Sequence, residues 1–113
     1  MINLQGKSPK LLVIGDLMID HYLWGACERV STEAPVQIVN VNDETTSLGG
    51  AGNVVHNLKT LGATVDVISV IGGCEISDDL KELLEDIEIN TKYLIKEQDR
   101  TTSIKSRIIA SQQ

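Results

Sequence analysis

Residues 47–62 read SLGGAGNVVHNLKTLG, a glycine-rich segment followed at once by a helical pattern. Glycines let the backbone pass close to a ligand, and the first turn of a helix offers free N–H groups with partial positive charge. Asn53, in that first turn, adds a side chain that both donates and accepts hydrogen bonds. The segment therefore predicts a helix whose N-terminus faces a bound molecule. The helix is predicted to end at Gly62. Its apolar residues recur at helical spacing and are Ala51, Val54, Val55, Leu58 and Leu61.

Two nucleotide-binding motifs do not fit this segment. A dinucleotide fingerprint places G-x-G-x-x-G directly after the first strand, whereas this turn comes about thirty residues later and lacks the third glycine. A P-loop requires G-K-[ST], which the sequence does not contain. Taken alone, the segment leaves open a turn that binds nothing.

The rest of the chain alternates strand and helix patterns. Residues 10–15 (KLLVIG) and 64–71 (TVDVISVI) are short apolar runs that predict buried strands, and residues 92–95 predict a third. Between them, Ser77 predicts the N-cap of a helix with Asp78 and Asp79 in its first turn. Residues 16–25 have mixed polarity and end in a break. This order predicts an α/β domain with a mainly parallel sheet.

Two alternating segments, residues 35–41 and 101–110, do not fit that layer. Each predicts a strand with one exposed face, the second an edge or lid strand. We therefore expect a small β-sheet lid beside the main layer.

Composition narrows the class of protein. The 113 residues are 42% hydrophobic and 23% charged, with a mean hydropathy near zero, which is typical of one soluble globular domain. No membrane span or signal peptide is visible, so the cytoplasm is the expected location. Ten basic against sixteen acidic residues give a net charge of −6, which disfavours nucleic acid but not a small anion.

The cysteines and histidines predict no metal site. Cys27 and Cys74 form no CxxC motif and are expected to be free thiols. His56 has no partner at helical spacing, and neither it nor His21 is expected to bind a metal. Trp24 either covers a ligand or packs beneath the lid, and the sequence does not separate these roles.

Three blocks in order carry a family resemblance. The first is residues 13–20 (VIGDLMID), followed by Trp24-Gly25 and residues 29–36 (RVSTEAPV); the second is the Gly-Gly-x-x-Asn turn with Gly62 and Gly72; the third is residues 102–107 (TSIKSR) with Gln112-Gln113. Together they resemble the ribokinase-like (PfkB) carbohydrate kinases, and within them the heptose-phosphate kinases. One position departs from the family pattern, Val55, where a small residue is preferred.

The resemblance implies a fold, a reaction and a missing part. It implies the N-terminal portion, residues 1–113, of a ribokinase-like three-layer α/β sandwich with lid strands at about 35–41 and 101–110. The reaction is transfer of the ATP γ-phosphoryl group to the anomeric hydroxyl of D-glycero-β-D-manno-heptose 7-phosphate, a lipopolysaccharide precursor. The ATP-binding portion and the catalytic Asp are expected beyond residue 113. We therefore expect no catalytic, cofactor-binding or metal-binding residue here, no ATP or Mg²⁺ bound by this fragment, and no turnover by it alone.

The same resemblance assigns substrate-binding residues and partners. It implies a homodimer through the lid strands and, in many relatives, a fused nucleotidyltransferase domain. Asp20 and Asp16 follow the first strand, Lys105 and Arg107 share one face of a strand and suit the sugar's phosphate, and Arg29 is a weaker phosphate ligand. The substrate-binding set is Asp16, Asp20, Gly49, Gly50, Asn53, Lys105, Arg107 and Arg29.

Two other functions stay open. One is a PfkB-family kinase for ribose, fructose, adenosine or a fructose phosphate. A phosphorylated heptose is favoured over these substrates by the Glu-Ala-Pro segment and the Lys-x-Arg strand. The other is a non-catalytic sugar-binding module.

Overall fold

The chain forms two separate three-stranded sheets and two helices in the computed structural model, which describes residues 6–112 apart from the side chains of Glu28, Arg29 and Gln112. The elements in chain order are β1 (Lys10–Ile14), β2 (Leu17–Val30), β3 (Gln37–Gly50), α1 (Ala51–Thr60), β4 (Thr64–Ile71), α2 (Glu75–Asp86), β5 (Leu94–Lys96) and β6 (Ser103–Gln112).

The first sheet has the order β1-β4-β5, and all its strands are parallel. Burial alternates along β4, because one face of the sheet is covered by both helices. Val67 of β4 packs there with Val55 of α1 and Leu84 of α2, all of them fully buried. The predicted strands at 10–15 and 64–71 and the predicted helix after Gly50 are confirmed.

The opposite face of this sheet carries exposed apolar side chains. Leu12 is 55% exposed, Ile14 73% and Ile95 57%. Within residues 6–112, no helix covers this face, so the second helix layer of a three-layer sandwich is not formed by these residues. No helix in the described part of the chain is long and apolar enough to cross a membrane.

The second sheet has the order β3-β2-β6. Its central strand, β2, pairs antiparallel with β3 and parallel with β6. This strand was not predicted, and it is the largest difference between the predicted and the observed elements. Leu17–Val30 forms one long strand because it has a hydrogen-bonding partner on each side, and both partners lie far along the chain.

The boundaries of four elements also differ from the prediction, and one of these is β5, which was predicted at 92–95 and is found at Leu94–Lys96. β3 continues through the polar residues 42–47 up to Gly50, so the glycine turn ends a strand instead of standing alone. β6 lies at the edge of its sheet, as predicted, but begins at Ser103. The N-cap of α2 is Cys74, not Ser77. Ser77 lies in the first turn of the helix, and its buried hydroxyl is hydrogen-bonded with Thr102 instead of capping the helix.

Candidate functional site

The two sheets meet where the parallel strands end. β1 ends at Ile14 and β2 begins at Leu17, so Asp16 lies in the two-residue link between the sheets. The Asp16 carbonyl oxygen accepts a hydrogen bond from the Ala51 backbone N–H at 2.8 Å, which ties the start of α1 to this link. Ligands of open α/β sheets bind at the carboxyl ends of the strands, so this edge is the place to look for a site.

Asp20 lies against Gly49 across the β2–β3 pair. A Cβ atom built on Gly49 would stand 2.7 Å from Asp20 Oδ1 and 2.9 Å from Oδ2, closer than real Cβ contacts allow. Only glycine leaves room for the carboxylate in this position. The two residues that the resemblance assigned to one sugar site are therefore in direct contact.

The next glycine shapes the backbone. Gly50 has φ +56° and ψ −132°, a conformation that residues with a Cβ rarely adopt. A Cβ at Gly50 would also stand 2.6 Å from the Asp16 carbonyl oxygen. The N-cap residue of α1 is Gly50, which offers no side chain to cap the helix, and Asn53 is exposed in the first turn. The chain therefore turns from β3 into α1 with the helix N-terminus close to Asp16.

The strand register brings the predicted cations to the same face as Asp20. Asp20 is paired with Lys105 on β6, and Tyr22 is paired with Arg107. Side chains of paired residues lie on the same side of a sheet, as do residues two apart on one strand. We call this side of the second sheet, which carries Asp20, Gly49, Lys105 and Arg107, the Asp20 face.

Arg107 is held on the Asp20 face by an aromatic pair. Its Nη1 donates a hydrogen bond to the Tyr22 hydroxyl at 3.2 Å, and its Cζ lies 5.8 Å from the centre of the Tyr22 ring. The Tyr22 ring stacks on Trp24 with 6.1 Å between ring centres. Trp24 Nε1 in turn donates to Thr45 Oγ1 at 3.2 Å. Trp24 therefore packs against Tyr22 on this face.

Tyr22 was not among the site residues predicted from the sequence. Tyr22 has the two-residue spacing from Asp20 and Trp24 that places side chains on one face of a strand. His21 interrupts the apolar positions between them, so no alternation of polar and apolar residues marked this segment as a strand.

Asp16 and Arg29 are placed differently from the other candidates. The Asp16 side chain is 82% exposed and pairs with Arg100, at 3.6 Å between Oδ1 and Nη2. Arg100 was also not among the residues predicted from the sequence. The Arg29 backbone pairs with Ile38, nine residues along β2 from Asp20, or roughly 30 Å at about 3.3 Å per residue. The structure does not bring Arg29 to the other candidates, and its side chain lies outside the described residues.

A buried hydroxyl network fixes the start of β6. Thr102 Oγ1 accepts a hydrogen bond from the Gly72 backbone N–H at 2.8 Å and lies 2.5 Å from Ser77 Oγ. Thr102 is only 3% exposed. The network joins the end of β4, α2 and the start of β6.

The same network changes the chemistry of one cysteine. Hydrogen bonds from the Ser77 side chain and then from the backbone of Thr102 and of Ser77 lower the pKa of the Cys74 thiol to about 7, because they stabilise the thiolate. Cys74 and Cys27 are both free.

A cavity of about 240 Å³ lies between α2 and the side of the second sheet opposite the Asp20 face. It is lined by Ile19, His21, Glu44, Thr46, Ile76, Asp79 and Ile104. Among residues 6–112, no group of three or more His, Cys, Asp or Glu side chains is placed to hold a metal ion.

The pfkB family of carbohydrate kinases matches residues 8–113 of the chain. The chain belongs to this family. It is 66% identical over 107 residues to the Bifunctional protein HldE of Aliarcobacter butzleri. The matched region covers 95% of this chain and 22% of that protein. The Bifunctional protein HldE of Helicobacter hepaticus is 54% identical over 113 residues, or 100% of the chain and 23% of that protein. The chain thus spans less than a quarter of the length of these curated relatives.

Solved structures agree on the fold. A putative ribokinase from Agrobacterium tumefaciens matches with a TM-score of 0.70 at 14% identity, covering 91% of this chain and 33% of that one. The ribokinase from Cryptococcus neoformans in complex with ADP matches with a TM-score of 0.65 at 24% identity, covering 92% and 31%. The ribokinase-like α/β fold of this pfkB-family chain is therefore confirmed. Val55, its one departure from the family pattern, is fully buried in the core, away from the Asp20 face.

Proposed function

We propose that this pfkB-family chain is the sugar-binding, N-terminal part of a kinase that phosphorylates the anomeric hydroxyl of D-glycero-β-D-manno-heptose 7-phosphate. The observation that carries the proposal is the Asp20 face. On this face the Asp20 carboxylate lies against Gly49, and two cationic side chains, Lys105 and Arg107, lie on the neighbouring strand.

The chemistry of this face suits a phosphorylated sugar. A carboxylate accepts hydrogen bonds from several sugar hydroxyls, and such charge-assisted bonds are stronger than neutral ones. Lys105 is paired with Asp20, and Arg107 is one side-chain step further along, at about 6.6 Å for two strand residues. A sugar ring at Asp20 would therefore extend its phosphate toward the Arg107 guanidinium, whose planar fork matches phosphate oxygens. Gly50 and Asn53 would complete the ring's surroundings from the start of α1.

The transfer itself requires groups that we place in a C-terminal part of a longer protein. Phosphoryl transfer needs ATP with Mg²⁺ and a base for the acceptor hydroxyl, and that base would be an Asp beyond residue 113. The residues of this chain bind and orient the acceptor. The exposed apolar face of the first sheet supports this division, because Leu12, Ile14 and Ile95 would be buried by further helices. The share of the relatives' length that the chain covers supports it as well.

Several broader features belong to the same proposal. The relatives are named bifunctional, which supports a second, nucleotidyltransferase domain in the full-length protein. We place the enzyme in the cytoplasm, in lipopolysaccharide precursor synthesis. The second sheet ends in two free edges, β3 and β6, and exposed Ile108 lies on β6, which supports a homodimer formed through these lid strands.

Variants at the two cations test the assignment. In the full-length protein, Lys105→Ala or Arg107→Ala is expected to raise the KM for the heptose phosphate about tenfold or more, because each removes a charged hydrogen-bond donor to the phosphate. The KM for the same heptose without its phosphate should change little. Lys10→Ala, at the N-terminal end of β1 and therefore at the opposite edge of the first sheet, is the control and should leave both values unchanged. An unchanged KM for the heptose phosphate in both variants would contradict the phosphate assignment.

A further inference from the structure

We propose that Tyr22 is a positioning residue for phosphate recognition, acting by holding the Arg107 guanidinium over the Asp20 face. The proposal rests on the proposed function, since it assumes that Arg107 binds the sugar's phosphate. Tyr22 itself does not touch the substrate.

The contact between the two residues has two parts. The Tyr22 hydroxyl accepts a hydrogen bond from Arg107 Nη1, and the Tyr22 ring lies beneath the guanidinium carbon. The hydroxyl engages one of the five N–H donors of the guanidinium, so the others stay free for an anion. The tyrosine therefore orders the arginine without using up its capacity to bind phosphate.

Tyr22 is itself fixed from the far side. Trp24 stacks on it with an angle of 27° between the ring planes, and Trp24 is anchored by its hydrogen bond to Thr45 on β3. The chain of contacts therefore runs across all three strands, from β3 through β2 to β6. The aromatic pair Tyr22 and Trp24 on the middle strand thus holds the exposed Arg107 in a fixed position relative to the sheet.

Such ordering matters because Arg107 is exposed on an edge strand. A free arginine side chain samples many rotamers, and fixing it upon binding lowers the affinity for the ligand. An arginine that is ordered beforehand binds the same phosphate more tightly. Tyr22 would thus set the affinity for the phosphate end of the substrate and leave the transfer step unchanged.

The test is Tyr22→Phe in the full-length kinase, which removes the hydroxyl but keeps the ring and its stacking. The KM for the heptose phosphate is expected to rise about three- to tenfold, the range for one lost hydrogen bond, with kcat unchanged. The KM for the unphosphorylated heptose and for ATP should stay the same. Tyr93→Phe is the matched control, because Tyr93 also lies beneath a cation, Lys92 at 4.9 Å, but near the other sheet.

A second arginine variant separates this inference from the function on which it rests. In the Arg107→Ala background, Tyr22→Phe should raise the KM no further, because the tyrosine acts through the arginine. A further rise of the same size in that background would mean that Tyr22 binds the substrate directly, and it would overturn the positioning role.

The remaining outcomes also distinguish the two proposals. If Arg107→Ala raises the KM for the heptose phosphate but Tyr22→Phe does not, the inference is overturned and the proposed function stands. If Arg107→Ala has no effect, the phosphate assignment itself is overturned, and the inference falls with it.

Discussion

Replacing Gly49 with alanine should weaken sugar binding while leaving the fold intact. The added Cβ would lie 2.7 to 2.9 Å from the carboxylate atoms of Asp20, so the Asp20 side chain must rotate away. Because those atoms are the end of a side chain, they can move without shifting the backbone. The change therefore acts on the position of the carboxylate.

The expected effects of Gly49→Ala on the KM and on the free energy of unfolding differ in size. Losing charge-assisted hydrogen bonds to the sugar costs about 1.5–3 kcal/mol, or roughly ten- to a hundredfold in KM. Moving Asp20 off its rotamer costs about 0.5–1.5 kcal/mol of stability. Alanine lowers the conformational entropy of the unfolded chain, which stabilises the protein by about 0.4–1 kcal/mol. This gain applies at Gly49 because its φ is not positive. The free energy of unfolding should thus change by less than about 1 kcal/mol.

Gly50→Ala is the matched contrast, one residue along the same strand. At φ +56° an alanine is strained by about 1–3 kcal/mol, and its Cβ would stand 2.6 Å from a backbone oxygen that has little room to move. This variant should therefore be destabilised, whereas Gly49→Ala should not. Thermal unfolding of the full-length protein measures the difference.

The assay for Gly49→Ala is steady-state kinetics with the heptose phosphate, alone and combined with Asp20→Ala. If the glycine acts through the carboxylate, the double variant has the KM of Asp20→Ala. The reasoning would be refuted by a Gly49→Ala protein that melts normally and keeps its KM, or by additive effects in the double variant.

Two further predictions concern the buried hydroxyl network. Thr102→Val should lower the free energy of unfolding, measured by urea denaturation, by about 1–3 kcal/mol, because the Gly72 N–H and the Ser77 hydroxyl lose a buried partner. The control is Thr101→Val at an exposed position, which should change the free energy of unfolding by less than about 0.5 kcal/mol. Equal effects of the two variants would contradict the network's role. Alkylation of Cys74, in a variant without the other cysteine, should rise with pH around a midpoint near 7, because the thiolate reacts and the Ser77 hydrogen bond lowers the thiol's pKa to about 7. Ser77→Ala should raise that midpoint, and a wild-type midpoint at the ordinary thiol value of about 8.5 would refute the assignment.

The elements that the sequence predicted well are those with strong local patterns. β4 matches its predicted range, and β1 and α1 agree within about one residue, because a run of apolar residues or a helical stripe specifies each of them within a short window. The helix α2 shows the limit of this reasoning. Ser77 is a good N-cap residue in isolation, but a tertiary partner, Thr102, takes its hydroxyl into the core.

The second sheet was predicted only in part, for a different reason. β2 carries polar and aromatic residues on its Asp20 face, so no simple alternation of apolar and polar residues marks it as a strand. Its extended conformation comes from pairing on both sides, and bulges after Trp24 and Cys27 interrupt even that register. The polar half of β3 is extended for the same reason, because β2 supplies its hydrogen bonds.

The sequence by itself determined the family, the parallel layer and most members of the candidate site. The Gly-Gly-x-x-Asn turn and the Lys-x-Arg strand are local, and their chemistry can be derived from residue type and spacing. Only the tertiary structure decided which of these residues meet. Asp20 contacts Gly49 and faces Lys105 because strand pairing joins segments far apart in the chain, whereas Arg29, close to Asp20 in sequence, is carried roughly 30 Å away by an extended strand. Pairing across a sheet depends on hydrogen bonds between distant segments, and no local pattern encodes it.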